Sequence, residues 1–365
     1  MSDCSLSETT HRVHAGDARD LTLPDESVEL VVTSPPYPMV EMWDDLFADL
    51  EPAAGDALDA GDGEAAFDAM HEALDAVWAE LERVLVPGGI ACINVGDATR
   101  KVDGRFRVYP NHARVTEAFE GLGFDPLPDV LWHKPANSAA KFMGSGMVPP
   151  NAYVTLEHEY VLIFRKGDRR SFEPGSPRRY ESAFFWEERN RWFTDVWTDI
   201  RGRVQDLAGE DLRDRAAAFP FELPYRLINM YSVYGDRVLD PFWGTGTTTL
   251  AAMVAGRDSV GCELDGEFLT HFDDRTETVP DLSDRVVEQR LADHRTFVAD
   301  HDDLAYDAAN YDFAVRTKQE QDMQFYRAVD VTRTDDGSVP SAAGGDGPAT
   351  RDEPHCVYCV DYDPV

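Results

Sequence analysis

The sequence predicts an α/β protein built on a doubly wound, mostly parallel sheet, and three observations carry that expectation. Strand-length apolar runs alternate with segments of helical periodicity. A glycine-rich turn joins a strand end to a helix start in LDPFWGTGTTTLAAMVAG, residues 239–256. The next strand, SVGCEL, ends at the acidic Glu263, as in the cofactor-binding half of such a sheet.

The elements follow in order. Residues 11–33 read as a short strand, a loop carrying Gly16 and Asp17, and a second strand, VELVVT, apolar on both sides like a covered parallel strand. Ser34-Pro35-Pro36-Tyr37 ends it, because neither proline supplies an N–H to a ladder. Phe67, Met70, Leu74, Val77, Trp78, Leu81, Val84 and Leu85 recur at helical spacing over residues 65–86, and Pro87-Gly88-Gly89 stops that helix before the strand IACINV. A second helix–strand unit runs from about Ala113 to Leu122, with Gly123 as its cap, and on to a strand near Val130–Trp132. Glu159–Phe164 reads as another strand, Glu222–Tyr234 as a helix and Arg237–Asp240 as a short strand. Residues 136–156, rich in glycine, alanine and proline, read as a lid-like loop. The segment 51–64 has the composition of a solvated loop, and 331–354 that of a disordered acidic tail before a short C-terminal segment, 355–365.

Composition excludes several classes. No uninterrupted apolar run approaches the roughly 18 residues of a membrane span, and the N-terminal residues lack a basic start and an apolar stretch, so a cytoplasmic protein is expected. Five scattered cysteines make no disulfide framework, and the lone Cys356-x-x-Cys359 lacks the further ligands that zinc needs, so no metal is expected. The formal charge is −35, from 69 acidic and 34 basic residues. That balance matches the acidic, lysine-poor surface of a protein from a halophilic archaeon-like source, and in molar salt it does not exclude a nucleic-acid substrate. Local charge says more: between Arg165 and Arg215 twelve basic residues meet eleven acidic ones, with Phe184, Phe185, Trp186, Trp192, Phe193 and Trp197 interleaved. Such an island reads either as a phosphate-contacting, base-stacking surface or as a subdomain packing its own core.

Two motifs point to chemistry. Around Asp240, Gly244 and Gly246 let backbone approach a ligand closely, and the helix that follows presents free N–H groups. A phosphate-binding lysine is absent, so this is no Walker loop, and an adenosine-containing cofactor is favoured over a nucleoside triphosphate. Ser34-Pro35-Pro36-Tyr37 lies at the sheet edge where open α/β sheets bind ligands. Carbonyls there can accept hydrogen bonds from an exocyclic amine while Tyr37 stacks on the ring that bears it. Trp43, Trp243 and His133 read as packing ahead of pocket lining.

Together, and in this order, the motifs resemble those of the beta-class amino-methyltransferases, which use S-adenosyl-L-methionine to methylate exocyclic nitrogens of cytosine or adenine in DNA. The similarity spans roughly residues 11–135 and 157–270. It implies a Rossmann-like methyltransferase fold with circularly permuted motif order and a small inserted target-recognition region. Residues 11–135 would be the catalytic half, 136–215 the lid and recognition region with one core strand near 159–164, and 216–330 the cofactor-binding half.

Carried over, Ser34, Pro35, Pro36 and Tyr37 would form the target-amine pocket. Asp240, Phe242, Gly244, Gly246 and Thr247 would cradle the cofactor, with Glu263 on the ribose, Asp17 on the adenine amine, and Phe219, Pro220 and Glu222 near the methionine portion. Arg165, Lys166, Arg169 and Arg170 are the first candidates for phosphate contact, followed by Lys134 and Lys141. Serine at position 34 resembles the cytosine-N4 members, which implies a site-specific DNA N4-cytosine methyltransferase and leaves room for a restriction endonuclease as partner. The alternative is a cytidine N4-methyltransferase of small-subunit ribosomal RNA. Adenine N6 and a non-catalytic nucleic-acid-binding module come after these, and the sequence does not set the oligomeric state.

Overall fold

The computed structural model describes residues 6–134, 143–200, 219–334 and 354–365. Its strands are β1 (Glu8–Ala15), β2 (Val28–Thr33), β3 (Leu85–Val95), β4 (Ala98–Val102), β5 (Arg105–Tyr109), β6 (Phe124–His133), β7 (Met143–Gly144) and β8 (Ala152–Tyr153). They continue as β9 (His158–Lys166), β10 (Val196–Trp197), β11 (Arg237–Asp240), β12 (Asp258–Glu263), β13 (Tyr306–Asp307), β14 (Ala314–Val315), β15 (Tyr326–Arg333) and β16 (Cys356–Pro364). Ten of these form one sheet in the order β10-β6-β9-β3-β2-β11-β12-β1-β16-β15.

The centre of that sheet is parallel: β3, β2, β11, β12 and β1 all run the same way. β9 runs against both β3 and β6, and β16 runs against β1. Parallel strands need both faces covered, and two apolar clusters do this. One joins Leu30, Val32 and Val238 to helices Glu222–Tyr231 and Thr247–Ala255. The other joins Val31, Ala91 and Ile93 to the long helix Gly63–Val84 and to Asn111–Gly121. The long helix starts where Asp62 accepts from the backbone N–H of Glu64 and Ala65, and its apolar stripe from Ala66 to Val84 is buried.

Two sequence expectations need correction. Residues 51–64 hold a helix, Pro52–Asp59, with Ala54 fully buried. Glu51 caps it by accepting from the Ala53 N–H, and Pro52 suits the first turn, so local capping outweighs the loop-like composition. The tail is not irregular throughout: β15 extends to Arg333, while residues 335–353 lie outside the described residues. The segment 355–365 is an integral strand, since β16 lies between β1 and β15 and buries Cys356, Tyr358, Val360 and Tyr362 on one face. Strand alternation sends Cys356 and Cys359 to opposite faces, and no metal-binding group of His, Cys, Asp or Glu exists among the described residues. No helix of the described residues is long and apolar enough to cross a membrane.

Candidate active site

Where the central parallel strands end, a cavity of about 700 Å³ opens. Residues just past four of them line it: Gly16–Arg19 after β1, Ser34–Pro36 after β2, Asp240–Thr245 and Thr247 from the end of β11, and Glu263–Gly266 at the end of β12; Gly246 lies within the turn but outside the lining. This is the carboxyl edge of an open α/β sheet, where ligands bind because strand ends leave the backbone unpaired.

On the glycine side, Gly244 and Gly246 have φ of +53° and +76°, a turn closed to ordinary side chains, and Gly246 directly precedes the helix Thr247–Ala255. Glu263 fixes this turn from the next strand. Its Oε2 accepts from the Gly244 N–H at 2.6 Å and its Oε1 from the Asp265 N–H at 2.9 Å. Burial raises the Glu263 pKa against the lowering by those two backbone donors. Arg275, which the sequence did not single out, donates to the Thr245 carbonyl from behind the turn, and burial lowers its pKa to about 10. Asp17 is engaged too, in an ion pair with Arg19 at 2.6 Å.

Asp240 is only 3% exposed. It accepts from the Thr33 hydroxyl at 2.6 Å and the Phe242 N–H at 3.2 Å, which ties the ends of β11 and β2 together. Burial pushes its pKa up to about 6, against the lowering by its hydrogen bonds. A carboxyl with a raised folded-state pKa holds its proton more tightly when folded, so stability is expected to fall as pH rises from 3.8 to about 6. The integrated effect is at most about 3 kcal/mol. Asp240→Asn is expected to remove that slope from urea melts of the cofactor-free protein. A slope retained in the variant would assign it to other groups.

The cavity therefore suits an adenosine-bearing cation. Asp17, Asp240, Glu263 and Asp265 supply carboxylates, and among the described residues Asp240 has no cationic partner. Trp43, Phe219, Phe242 and Trp243 supply flat apolar walls. A side chain added at Gly16 would meet nothing within 4 Å, so the backbone there is open to a close-lying ligand. Phe219 lines the cavity, whereas Pro220 is buried beside it and Glu222 is exposed in the first turn of its helix; neither is part of the lining.

On the other side of the cavity stands the tetrapeptide. Ser34, Pro35 and Pro36 line it, while Tyr37 does not and packs its ring against Gly96. The Tyr37 hydroxyl donates to Glu159 Oε2 at 3.1 Å, accepts from Asn94 Nδ2 at 2.9 Å and lies 3.0 Å from Ser34 Oγ. A phenol has one proton, and Glu159 takes it, so Ser34 is the donor in its bond to Tyr37. A ligand group that reaches Ser34 Oγ would then meet an acceptor. Burial and the adjacent Glu159 carboxylate push the Tyr37 pKa well above its usual value, so the phenol remains a donor at working pH.

Asn94 and Glu159 were not among the expected site residues. Asn94 Nδ2 also donates to Glu159 Oε2 at 2.7 Å, and Lys134 Nζ donates to Oε1 at 2.6 Å. Their signal was in the sequence: a polar residue inside the apolar strand INV, and an acid heading YVLIF, must each find a partner if buried.

The structure separates the residues expected to contact phosphate. Because β9 runs against β3, its N-terminal end carries Glu159 to Tyr37 and its C-terminal end carries Arg165 and Lys166 about 20 Å away, at the opposite edge of the sheet. There Arg165 pairs with Asp125, Lys166 with Glu82, and Arg170 with the fully buried Asp236, while Arg169 is exposed. Lys134 is paired with Glu159 behind the tetrapeptide, and Lys141 lies outside the described residues. Half of the aromatic island is core: Phe185, Trp192 and Trp197 are buried, with the buried pair Arg290–Glu188 beside them, while Phe184 is half-buried and Trp186 and Phe193 are exposed. Residues 201–218 of the island lie outside the described residues.

The chain is similar to known proteins. The family described as DNA methylase, of N6/N4 methyltransferases, matches residues 28–274. The Type II methyltransferase M.MthZI of Methanothermobacter thermautotrophicus is 52% identical over 323 residues, covering 87% of this chain and 91% of the relative. M.MjaI of Methanocaldococcus jannaschii, also a Type II methyltransferase, is 51% identical over 269 residues, covering 70% of this chain and 88% of the relative. The crystal structure of TTHA0409 from Thermus thermophilus, complexed with S-adenosyl-L-methionine, is 36% identical with a TM-score of 0.57 and covers 74% of this chain and 95% of that one.

Proposed function

We propose, for a chain that belongs to the N6/N4 methyltransferase family of DNA methylases, a site-specific DNA methyltransferase acting on the exocyclic N4 of cytosine. The fold is that of the S-adenosyl-L-methionine-dependent methyltransferases, and S-adenosyl-L-methionine is the cofactor. When bound, it supplies an electrophilic methyl group on a sulfonium.

Asp240, Glu263, Asp17, Phe219 and the turn from Phe242 to Thr247 would hold the cofactor, with carboxylates complementing its positive charge. Ser34 would receive the target amine. The carrying observation is the proton accounting at Ser34: held as a donor to Tyr37, its Oγ presents a neutral acceptor to an amine N–H. Accepting that hydrogen bond directs the nitrogen toward the methyl donor, so these residues act by alignment and electrostatic preorganisation, with no covalent intermediate on the protein. Serine at this position also supports cytosine over adenine, by its resemblance to the cytosine-N4 members of the family. The two Type II relatives support a DNA substrate and a modification role beside a restriction endonuclease.

The test is transfer of labelled methyl to unmethylated duplex DNA and to immature small-subunit ribosomal RNA, read by nucleoside mass spectrometry. It is run in molar KCl because the acidic excess supports a high-salt working range. N4-methylcytosine in the DNA is expected. N6-methyladenine, or label confined to RNA, would overturn the reading.

A further inference from the structure

In this acidic chain only five residues are lysine, and one of them, Lys101, lies in a short basic hairpin that follows β3. β4 and β5 form that hairpin, with Arg100, Lys101, Arg105 and Arg107 against the single acid Asp103. Asp103 and Gly104 turn it, with φ of +43° and +77°.

Both ends of the hairpin are pinned to the catalytic segment. It departs just after Gly96, which packs on the Tyr37 ring, and it returns at Asn111, whose Nδ2 donates to the carbonyls of Pro38 at 3.1 Å and Gly96 at 2.9 Å. One face is fastened to the body, where Arg100 makes a bidentate pair with Asp44, Arg107 pairs with Glu64, and Tyr109 is buried. The opposite face carries Lys101 directly across from Phe106, and Phe106 stacks on the exposed Tyr153 at 5.1 Å and 12°. Lys101, on this face, and Arg105, which alternation puts on the fastened face next to the turn, are both exposed, and neither is in an ion pair among the described residues.

We propose that this hairpin is the surface that holds the DNA strand beside the active site. Lys101 and Arg105 take backbone phosphates, and the Phe106–Tyr153 pair offers a stacking face to a base next to the one extruded toward Ser34. The proposal rests on a DNA substrate and replaces the Arg165–Arg170 cluster, which β9 carries to the far edge, as the principal phosphate contact.

The experiment uses the full chain and fluorescein-labelled restriction fragments of an unmethylated plasmid. Anisotropy is read over a KCl series within which circular dichroism shows wild type and variants equally folded. Lys101→Gln/Arg105→Gln is expected to weaken binding about tenfold or more, to lower the slope of log Kd against log salt by about two, and to leave calorimetric cofactor affinity unchanged. Phe106→Ala is expected to weaken binding without altering the slope. Arg165→Gln/Arg169→Gln is expected to bind like wild type. Wild-type affinity and slope in the hairpin variant, or loss in the far-edge variant instead, would overturn the proposal. N6-methyladenine as product would overturn only the cytosine assignment, since the binding comparison is read without methyl transfer.

Discussion

Tyr37→Ala is expected to lower kcat for methyl transfer by about 10²- to 10³-fold while cofactor affinity stays within about twofold. The asymmetry follows from where the side chain is. Tyr37 does not line the cavity, but its hydroxyl joins Ser34 to Asn94 and Glu159, and its ring packs on Gly96 at the root of the basic hairpin. Without it, Ser34 loses the acceptor that fixes its proton, and its hydroxyl is free to rotate so that a donor instead of an acceptor faces the amine. Tyr37→Phe keeps the ring and its packing but loses the same hydrogen bonds, so it should fall between alanine and wild type, about tenfold down. Labelled-methyl kinetics paired with cofactor calorimetry separates the roles. A parallel collapse of cofactor affinity would move Tyr37 into the cofactor site.

The parts of this site that were legible in the sequence share a property: each is set by backbone chemistry within a few residues. Two prolines ending β2 and two glycines after β11 announce a strand that stops and a turn that needs positive φ, and the structure has both. The helices Gly63–Val84 and Asn111–Gly121 were legible because an apolar stripe at helical spacing leaves few alternatives. What failed to show was direction and partnership. Nothing local says that β9 runs against its neighbours, yet that alone decides that Glu159 reaches Tyr37 and Arg165 does not. Charge was similarly ambiguous. Arg170 and Arg178 read as basic surface, but both are held by the fully buried Asp236, and only long-range folding puts that acid beside them. The hairpin was overlooked for the converse reason: its four cations spread over eight residues look unremarkable until β4 and β5 pair and gather them on one hairpin rooted at the tetrapeptide.

Gly246→Ala is expected to cost about 2–4 kcal/mol of stability and to abolish cofactor binding. About 1 kcal/mol comes from forcing a side chain into the left-handed region at φ +76°. The remainder, about 1–3 kcal/mol, is overpacking, because the new methyl would collide with the Phe272 ring and lie 2.7 Å from the Trp243 indole. Neither ring can move freely. They meet edge-to-face at 4.8 Å, and the Trp243 Nε1 donates to the Thr249 hydroxyl at 2.8 Å. Any shift of Trp243 is passed to the turn, since its carbonyl accepts from the Gly246 N–H at 2.9 Å. Gly16→Ala is the informative contrast. Gly16 lines the cavity itself, and an added methyl there meets nothing within 4 Å. Its stability should stay within about 0.5 kcal/mol of wild type while cofactor affinity drops by up to about tenfold, because the methyl takes space only a ligand would use. Urea melts and calorimetry on the two variants read both effects. If Gly246→Ala were as stable as wild type, the rings behind the turn would have to be looser than their packing shows. If Gly16→Ala bound cofactor normally, the ligand would have to sit away from the end of β1.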